Sequence, residues 1–296
     1  TTGSSTRIPI VYSTGAEPTY PADGSANSSL AGGNFYWVVK KGDAYGHNVL
    51  GISGQDGDLG SPPGNSSGSG CGECHNTLSD SDAPPERTGC RGCHVPHHHA
   101  DDSSDSVVRE TGGWYRFLGD NPEMSMGTYR GVVGVEDADW EQNPSSSVHN
   151  VYQGTTSGYG TQATNSNYSI GEFCSGCHGR FHFDMNKTQS QPIYDDFSGA
   201  WIRHPSDVVI PNTAGSEYAA YTVYNTIAPV AEGTLLVDGS TAQTTVTPGS
   251  DVVTCISCHR PHGSPYPDML RWDYNSCSST GGDGPCGCYA CHTTKD

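Results

Sequence analysis

A chain of 296 residues with 33% hydrophobic residues, 39 glycines and 19 prolines has too little aliphatic material for a conventional core of its size. Its formal charge of −18 argues against nucleic acid and anionic membrane surfaces as partners, and no apolar run reaches the roughly 18 residues of a membrane-spanning helix. Twelve cysteines are too many for a reduced cytosolic protein unless they hold metals or cofactors.

The chain opens Thr1-Thr2-Gly3, with neither Met nor an export signal, as expected of a mature chain whose signal has been removed. Residues 1–70 contain no cysteine and form an N-terminal arm. The aromatic and β-branched content of Asn34–Lys41 predicts a strand there, and residues 51–70 read as a long Gly/Ser-rich loop. Residues 71–110 hold two C-x-x-C-H motifs. The first is Cys71, Cys74 and His75, and the second is Cys90, Cys93 and His94. Residues 111–173 are a spacer without a motif, and 174–205 carry a single copy, Cys174, Cys177 and His178. In the second spacer, 206–254, two alternating runs around Asp238-Gly239 predict a β-hairpin. Residues 255–296 hold the last pair, Cys255, Cys258 and His259, then Cys288, Cys291 and His292. The whole is expected to be one continuous unit rather than separate domains.

Cys and His each fill about 4% of positions, so chance would place roughly 0.02 copies of the motif in the chain; five are present. Two thiols three residues apart lie on one side of a helical turn and can add to the two vinyl groups of one haem. The next residue, His, then presents its imidazole to the iron. A zinc ribbon or a redox C-x-x-C pair would not require His at the fifth position every time. The expected cofactors are therefore five haem c groups. Porphyrins would also supply the buried apolar area that the side chains lack, so the expected fold is mostly irregular, with short helices at the motifs and a few short strands.

Thirteen histidines less five proximal ones leave His47, His97, His98, His99, His149, His182, His204 and His262 as candidates for the opposite iron face. Bis-His ligation of every haem is within reach of that supply. Met124, Met126, Met185 and Met269 are the methionine alternatives, which would raise the potentials. His262 follows His259 too closely to reach the same iron, so it is expected to serve a neighbouring haem. The same holds for one of His97–His99 after His94, with His98 chosen. His47, His149 and His204 are the further ligand candidates, and His182 stands open between ligand and surface residue. Cys277 and Cys286 lie outside the motifs and flank a Gly-rich loop, which suits a disulfide. In the rival reading Cys286 opens a wider motif ending at Cys291-His292.

The segments CISCHRPHGSPYPDMLRWDY and CYACHTTKD resemble the C-terminal end of the secreted multihaem c-type cytochromes of metal-reducing prokaryotes. FCSGCHG with a following FH, HNVY and CHVPHHHADDS are similar to the middle of the same group. The resemblance covers about residues 30–296. Some members of that group polymerise into extracellular cytochrome nanowires with a continuous haem chain and one axial His donated between subunits. The resemblance therefore implies a secreted protein that transits the periplasm to the cell exterior or surface. It also implies an electron carrier rather than an enzyme, and a head-to-tail filament of copies of this chain. Other cytochromes would be the electron donors, and extracellular metal oxides or cells the acceptors. The competing readings are a multihaem reductase of nitrite, hydroxylamine or sulfur oxyanions, which would need an open iron position, and a soluble periplasmic shuttle. The 70-residue arm without a motif of its own favours an assembling subunit over the shuttle.

Overall fold

A computed structural model describes residues 11–13, 31–59, 62–63, 78–82, 85, 88–94, 115–119, 131–137, 141, 143–155, 169–175, 177–178, 193–195, 199–201, 204, 206–236, 240–278 and 286–294. Regular structure is sparse and short, as the Gly- and Pro-rich composition dictates. The longest helices, Tyr36–Lys41 (α1) and Ile170–Ser175 (α2), have six residues each, and two single-turn helices follow, Cys255–Cys258 (α3) and Cys288–Cys291 (α4). Among the described residues there are also three antiparallel two-stranded ribbons: Gly134–Val135 with Val151–Tyr152, Ile193–Asp195 with Gly199–Trp201, and Val208–Val209 with Val252–Val253. No described helix is long and apolar enough to cross a membrane.

The strand expected at Asn34–Lys41 is instead α1. A strand would have sent Phe35, Trp37 and Val39 to one face. Burial runs along Phe35, Trp37 and Val38 instead, while Val39 is half exposed, and Phe35 and Val38 pack on Val49 in helical i, i+3 register. The Asn34 side-chain oxygen accepts the Tyr36 N–H at 2.8 Å, and Gly42 ends the helix by donating to the Val38 carbonyl at 3.0 Å. Lys41, one turn after Trp37, sits 5.1 Å from that ring. The aromatic content that suggested a strand serves a short helix packed on one side.

The turn expected at Asp238-Gly239 lies outside the described residues, and the runs on either side of it pair elsewhere. Tyr224 and Val246 donate backbone bonds across residues 222–224 and 244–246, and Val252–Val253 pairs with Val208–Val209. Leu236 N–H donates to the buried Gln153 side chain at 2.9 Å. The described part of the spacer is thus held by long-range bonds.

Apolar packing is divided among small clusters. One joins Tyr115, Val132, Ile170 and Ala231, with Phe173 of α2 and Ile256 of α3 against it, and so sets the third motif beside the fourth. Another gathers Trp272, Ala228 and Cys286 around α4.

Glu232 and Asp251 form a buried acidic pair in the second spacer. Burial pushes the Asp251 carboxyl up to about 6; the Thr247 N–H, donating to it at 2.7 Å, opposes this in part, and the Glu232 charge adds to it. The folded chain therefore holds a proton there that the unfolded chain releases. Its contribution to stability is complete below the ordinary Asp range, near pH 4, and is lost as pH rises through about 6. Asp251→Asn keeps an acceptor for Thr247 and removes the charge. Thermal melts of this variant should lose a fall of a few degrees that wild type shows between about pH 4 and 7; equal slopes for the two proteins would refute the assignment.

Candidate haem-binding sites

Each described motif closes one helical turn on itself. The backbone N–H of His94, His178, His259 and His292 donates to the carbonyl of Cys90, Cys174, Cys255 and Cys288, at 2.8, 3.0, 3.0 and 2.8 Å respectively. That bond puts the first Cys and the His on one side of the turn, as one macrocycle requires. The local sequence favours the turn where it begins: ahead of α3, Ser257 Oγ accepts the Thr254 N–H at 2.9 Å. The first motif is the exception, because Cys71, Cys74 and His75 all lie outside the described residues.

Three histidine pairs face each other across the fold. His47 lies opposite His178 with ring centres 6.1 Å apart, His262 opposite His94 at 5.8 Å, and His204 opposite His292 at 6.2 Å. Metal–imidazole bonds of about 2.0 Å, plus about 1.1 Å from nitrogen to ring centre, put two trans axial rings about 6.2 Å apart. The spacing fits a metal between each pair and is too wide for direct ring stacking.

The ring nitrogens agree with that use. Nδ1 of His94 meets the Phe117 carbonyl at 2.9 Å, that of His178 the Pro63 carbonyl at 2.9 Å, and that of His259 the Asp268 carbonyl at 2.7 Å. His47 Nδ1 meets the Pro261 carbonyl at 2.6 Å. With Nδ1–H donated to backbone, Nε2 is left as the metal-binding atom. Phe117 and Asp268 hold φ of 64° and 57°, a left-handed conformation that costs a non-glycine residue of order 1–2 kcal/mol. That strain aims a carbonyl at a motif histidine in both cases. Burial lowers His47 to about 4 and His262 to about 3, with His178 and His94 respectively as the next cause. Both imidazoles are therefore neutral, the form that binds metal.

Four of the described motif cysteines are equally unlike reactive thiols. Burial pushes Cys93, Cys258 and Cys291 up to about 12 and Cys177 to about 11, far from an activated nucleophile or redox thiolate. Thiols of successive motifs lie within electrostatic reach of one another: Cys93 of Cys177, Cys174 of Cys255, to which it is also hydrogen-bonded, and Cys258 of Cys288 and Cys291. The second, third, fourth and fifth motifs accordingly follow one another in space as they do in sequence.

Cys277 and Cys286 are disulfide-bonded. Their sulfurs and that of Cys288 lie within 4.8 Å of one another, but two of the three are spent in the bond, so the cluster is no metal-binding set. Cys286 is occupied, and Cys288 is the thiol left to the C-x-x-C-H spacing.

His149 is not brought to any described motif histidine. It is buried and stacked on Tyr224 with ring centres 3.4 Å apart, and its two nitrogens meet the Asn150 and Gln243 carbonyls, both at 2.9 Å. Its part in the fold is to tie the two spacers together. His97, His98, His99 and His182 lie outside the described residues. The carbonyls of Pro63, Phe117, Pro261 and Asp268 had no signal in the sequence, because a backbone acceptor can sit on any residue type. Glu217, whose carboxylate lies 3.0 Å from His292 Nδ1, is one acid among 32 Asp and Glu residues and carried no distinguishing pattern.

Residues 248–296 match the doubled CXXCH motif family, which marks the last two motifs as haem c sites. The chain is 25% identical to C-type cytochrome OmcS of Geobacter sulfurreducens over 87% of its own length and 65% of that protein's. It thus spans just under two thirds of the relative. Its fold is similar to the solved Outer Membrane Cytochrome S filament from Geobacter sulfurreducens, with a TM-score of 0.50 and 20% identity, covering 92% of this chain and 72% of that one. By sequence and fold together the chain resembles multihaem c-type cytochromes related to OmcS.

Proposed function

We propose that this chain is a pentahaem c-type cytochrome that carries electrons along a line of bis-His haems, as the subunit of an extracellular conductive filament. The three histidine pairs at 5.8–6.2 Å carry the reading, since neither a zinc protein nor a thiol oxidoreductase has a use for them. The haems, when bound, supply one-electron carriers whose axial imidazoles keep the potentials low. Everything else is done by the chain. Ten cysteines tether, with Cys71 and Cys74 holding the first haem. Five motif histidines and their partners would hold the irons from both sides, and backbone carbonyls orient the rings of His47, His94, His178 and His259. His47 pairs with His178, His262 with His94, and His204 with His292. The partners of His75 and His259 come from His97, His98, His99 and His182 or from a neighbouring copy.

By position alone, 24 residues before the first motif at Cys71 and on an arm without one, His47 suits donation to a neighbouring subunit. It faces His178 of its own chain instead, so a ligand given across a boundary must come from elsewhere in the molecule. The assembly reading rests on the OmcS filament and on motifs that follow one another in space. Such a line conducts between copies only if its ends meet head to tail, an open arrangement that grows as a fibre. Other cytochromes would load it, and external metal oxides or cells would drain it.

Mass spectrometry of the native protein tests the count: five haems on ten cysteines, Cys71 and Cys74 included, with Cys277 and Cys286 recovered as one disulfide-linked peptide. A haem on Cys286, or fewer than five haems in the intact chain, would overturn the pentahaem assignment. Electron micrographs of the native material showing only dispersed particles would overturn the filament.

A further inference from the structure

The motif histidines are not held alike. Among the described ones, His94, His178 and His259 each direct Nδ1 to a neutral backbone carbonyl. His292 alone has a carboxylate there: Glu217 Oε2 stands 3.0 Å from its Nδ1. The pair is an ion-pair contact rather than a hydrogen bond, since Nδ1 has no aligned acceptor. Two neighbours, Thr293 and Tyr218, fix Glu217 for this position. Its carbonyl accepts both the backbone N–H and the hydroxyl of Thr293, at 2.8 and 2.6 Å, which locks it to the residue next to His292. The neighbouring Tyr218 bonds the Glu217 side chain and stands edge-on to the His292 ring, with centres 5.0 Å apart. His204 faces the same ring from the far side.

A carboxylate on the outer nitrogen of a metal-bound imidazole draws the N–H proton toward itself. The ring becomes a stronger electron donor, and the ferric iron is favoured over the ferrous. Each reduction adds one electron to the iron, and no bond is made or broken; the Nδ1 proton stays on the ring throughout. A neutral carbonyl does the same more weakly. Resting on the pentahaem reading above, we propose that Glu217 acts through His292 as a potential-setting residue, making the haem at Cys288 and Cys291 easier to oxidise than those whose histidines meet carbonyls. That haem stands at the end of the succession from the second motif to the fifth. In a head-to-tail polymer the same downward step in potential would recur once per subunit.

The test is Glu217→Gln in the full-length, haem-loaded protein, with Glu217→Asp as the conservative partner. Haem content and the low-spin spectrum are measured first. Fewer than five haems in wild type would sink the pentahaem reading and leave the Glu217 question to the fifth site alone, where the same titration still decides it. Absorbance-monitored redox titration of Glu217→Gln should then show one haem's share of the amplitude shifted to higher potential. The shift should be about tenfold in the oxidised-to-reduced ratio at fixed potential, or about 59 mV for one electron. The remaining amplitude should superimpose on wild type, and Glu217→Asp, which keeps a carboxylate, should stay close to the wild-type potential. Superimposable curves with all haems retained would overturn the proposal while leaving the electron-carrier reading intact. Loss of the fifth haem in Glu217→Gln, with retention in Glu217→Asp, would also overturn it, by assigning the carboxylate to attachment.

Discussion

Replacing His204 with Ala should turn one haem in five from low to high spin and open it to carbon monoxide. The His204 ring lies 6.2 Å from that of His292 at an interplanar angle of 82°, and the residue is solvent-exposed. Truncating an exposed side chain leaves no buried cavity, so its cost to folding should stay within about 0.5 kcal/mol. The spectroscopic change is then a direct report on ligation. His149→Ala is the matched control. That ring is buried on Tyr224 and makes two contacts to carbonyls, so its loss should cost about 2–4 kcal/mol in stability. The haems of the four described motifs should nevertheless remain low-spin, because none of their histidines faces it. A high-spin signal from His149→Ala with none from His204→Ala would reverse the two assignments and reopen the ligand set.

The two substitutions also mark how far the sequence could be read. The motifs were legible because thioether chemistry demands a fixed local spacing that one helical turn satisfies, and each described copy forms that turn. Their partners were legible only as a supply of imidazoles. Which ring meets which is a long-range matter: His262 reaches back to the second motif rather than to its sequence neighbours, and His204 reaches forward to the fifth. His149 looked as well placed as His204, since HNVY and RHPSD differ in nothing that burial could be inferred from. The absence of a large aliphatic core was legible in composition. The helix at Tyr36–Lys41 was not, because a six-residue helix is too short for its period to show and its aromatic residues carry strand propensity. The disulfide was legible because two cysteines were left over next to a tight Gly-rich loop, and it forms.

Gly263→Ala is expected to disable two axial ligands at once, although residue 263 ligates nothing. The segment from Cys255 to Gly263 serves three sites. It carries the fourth motif, its Pro261 carbonyl orients His47 at 2.6 Å, and His262 faces His94. Gly263 seats that segment on the N-terminal arm, accepting from Asn34 N–H at 3.0 Å, while the flanking Ser264 N–H donates to the Tyr45 carbonyl at 3.0 Å and His262 N–H to the Gly32 carbonyl at 2.7 Å. Its φ of +136° is one that L side chains rarely adopt, and a Cβ there would stand 2.6 Å from the Asn34 carbonyl oxygen and 2.8 Å from that of Tyr45. Both obstacles are backbone, so neither can swing aside. The backbone strain amounts to about 1–3 kcal/mol and the overpacking to a similar sum. The cheapest relief is for residues 261–264 to lift from the arm, which would carry His262 away from His94 and the Pro261 carbonyl away from His47. The variant should therefore show two high-spin, carbon monoxide-binding haems, against the single one of His204→Ala, with the fifth site untouched. If all five haems stayed low-spin at a lowered melting temperature, the arm would be a stability element only, and the ring pairs at 5.8 and 6.1 Å would not depend on the seam that Gly263 closes.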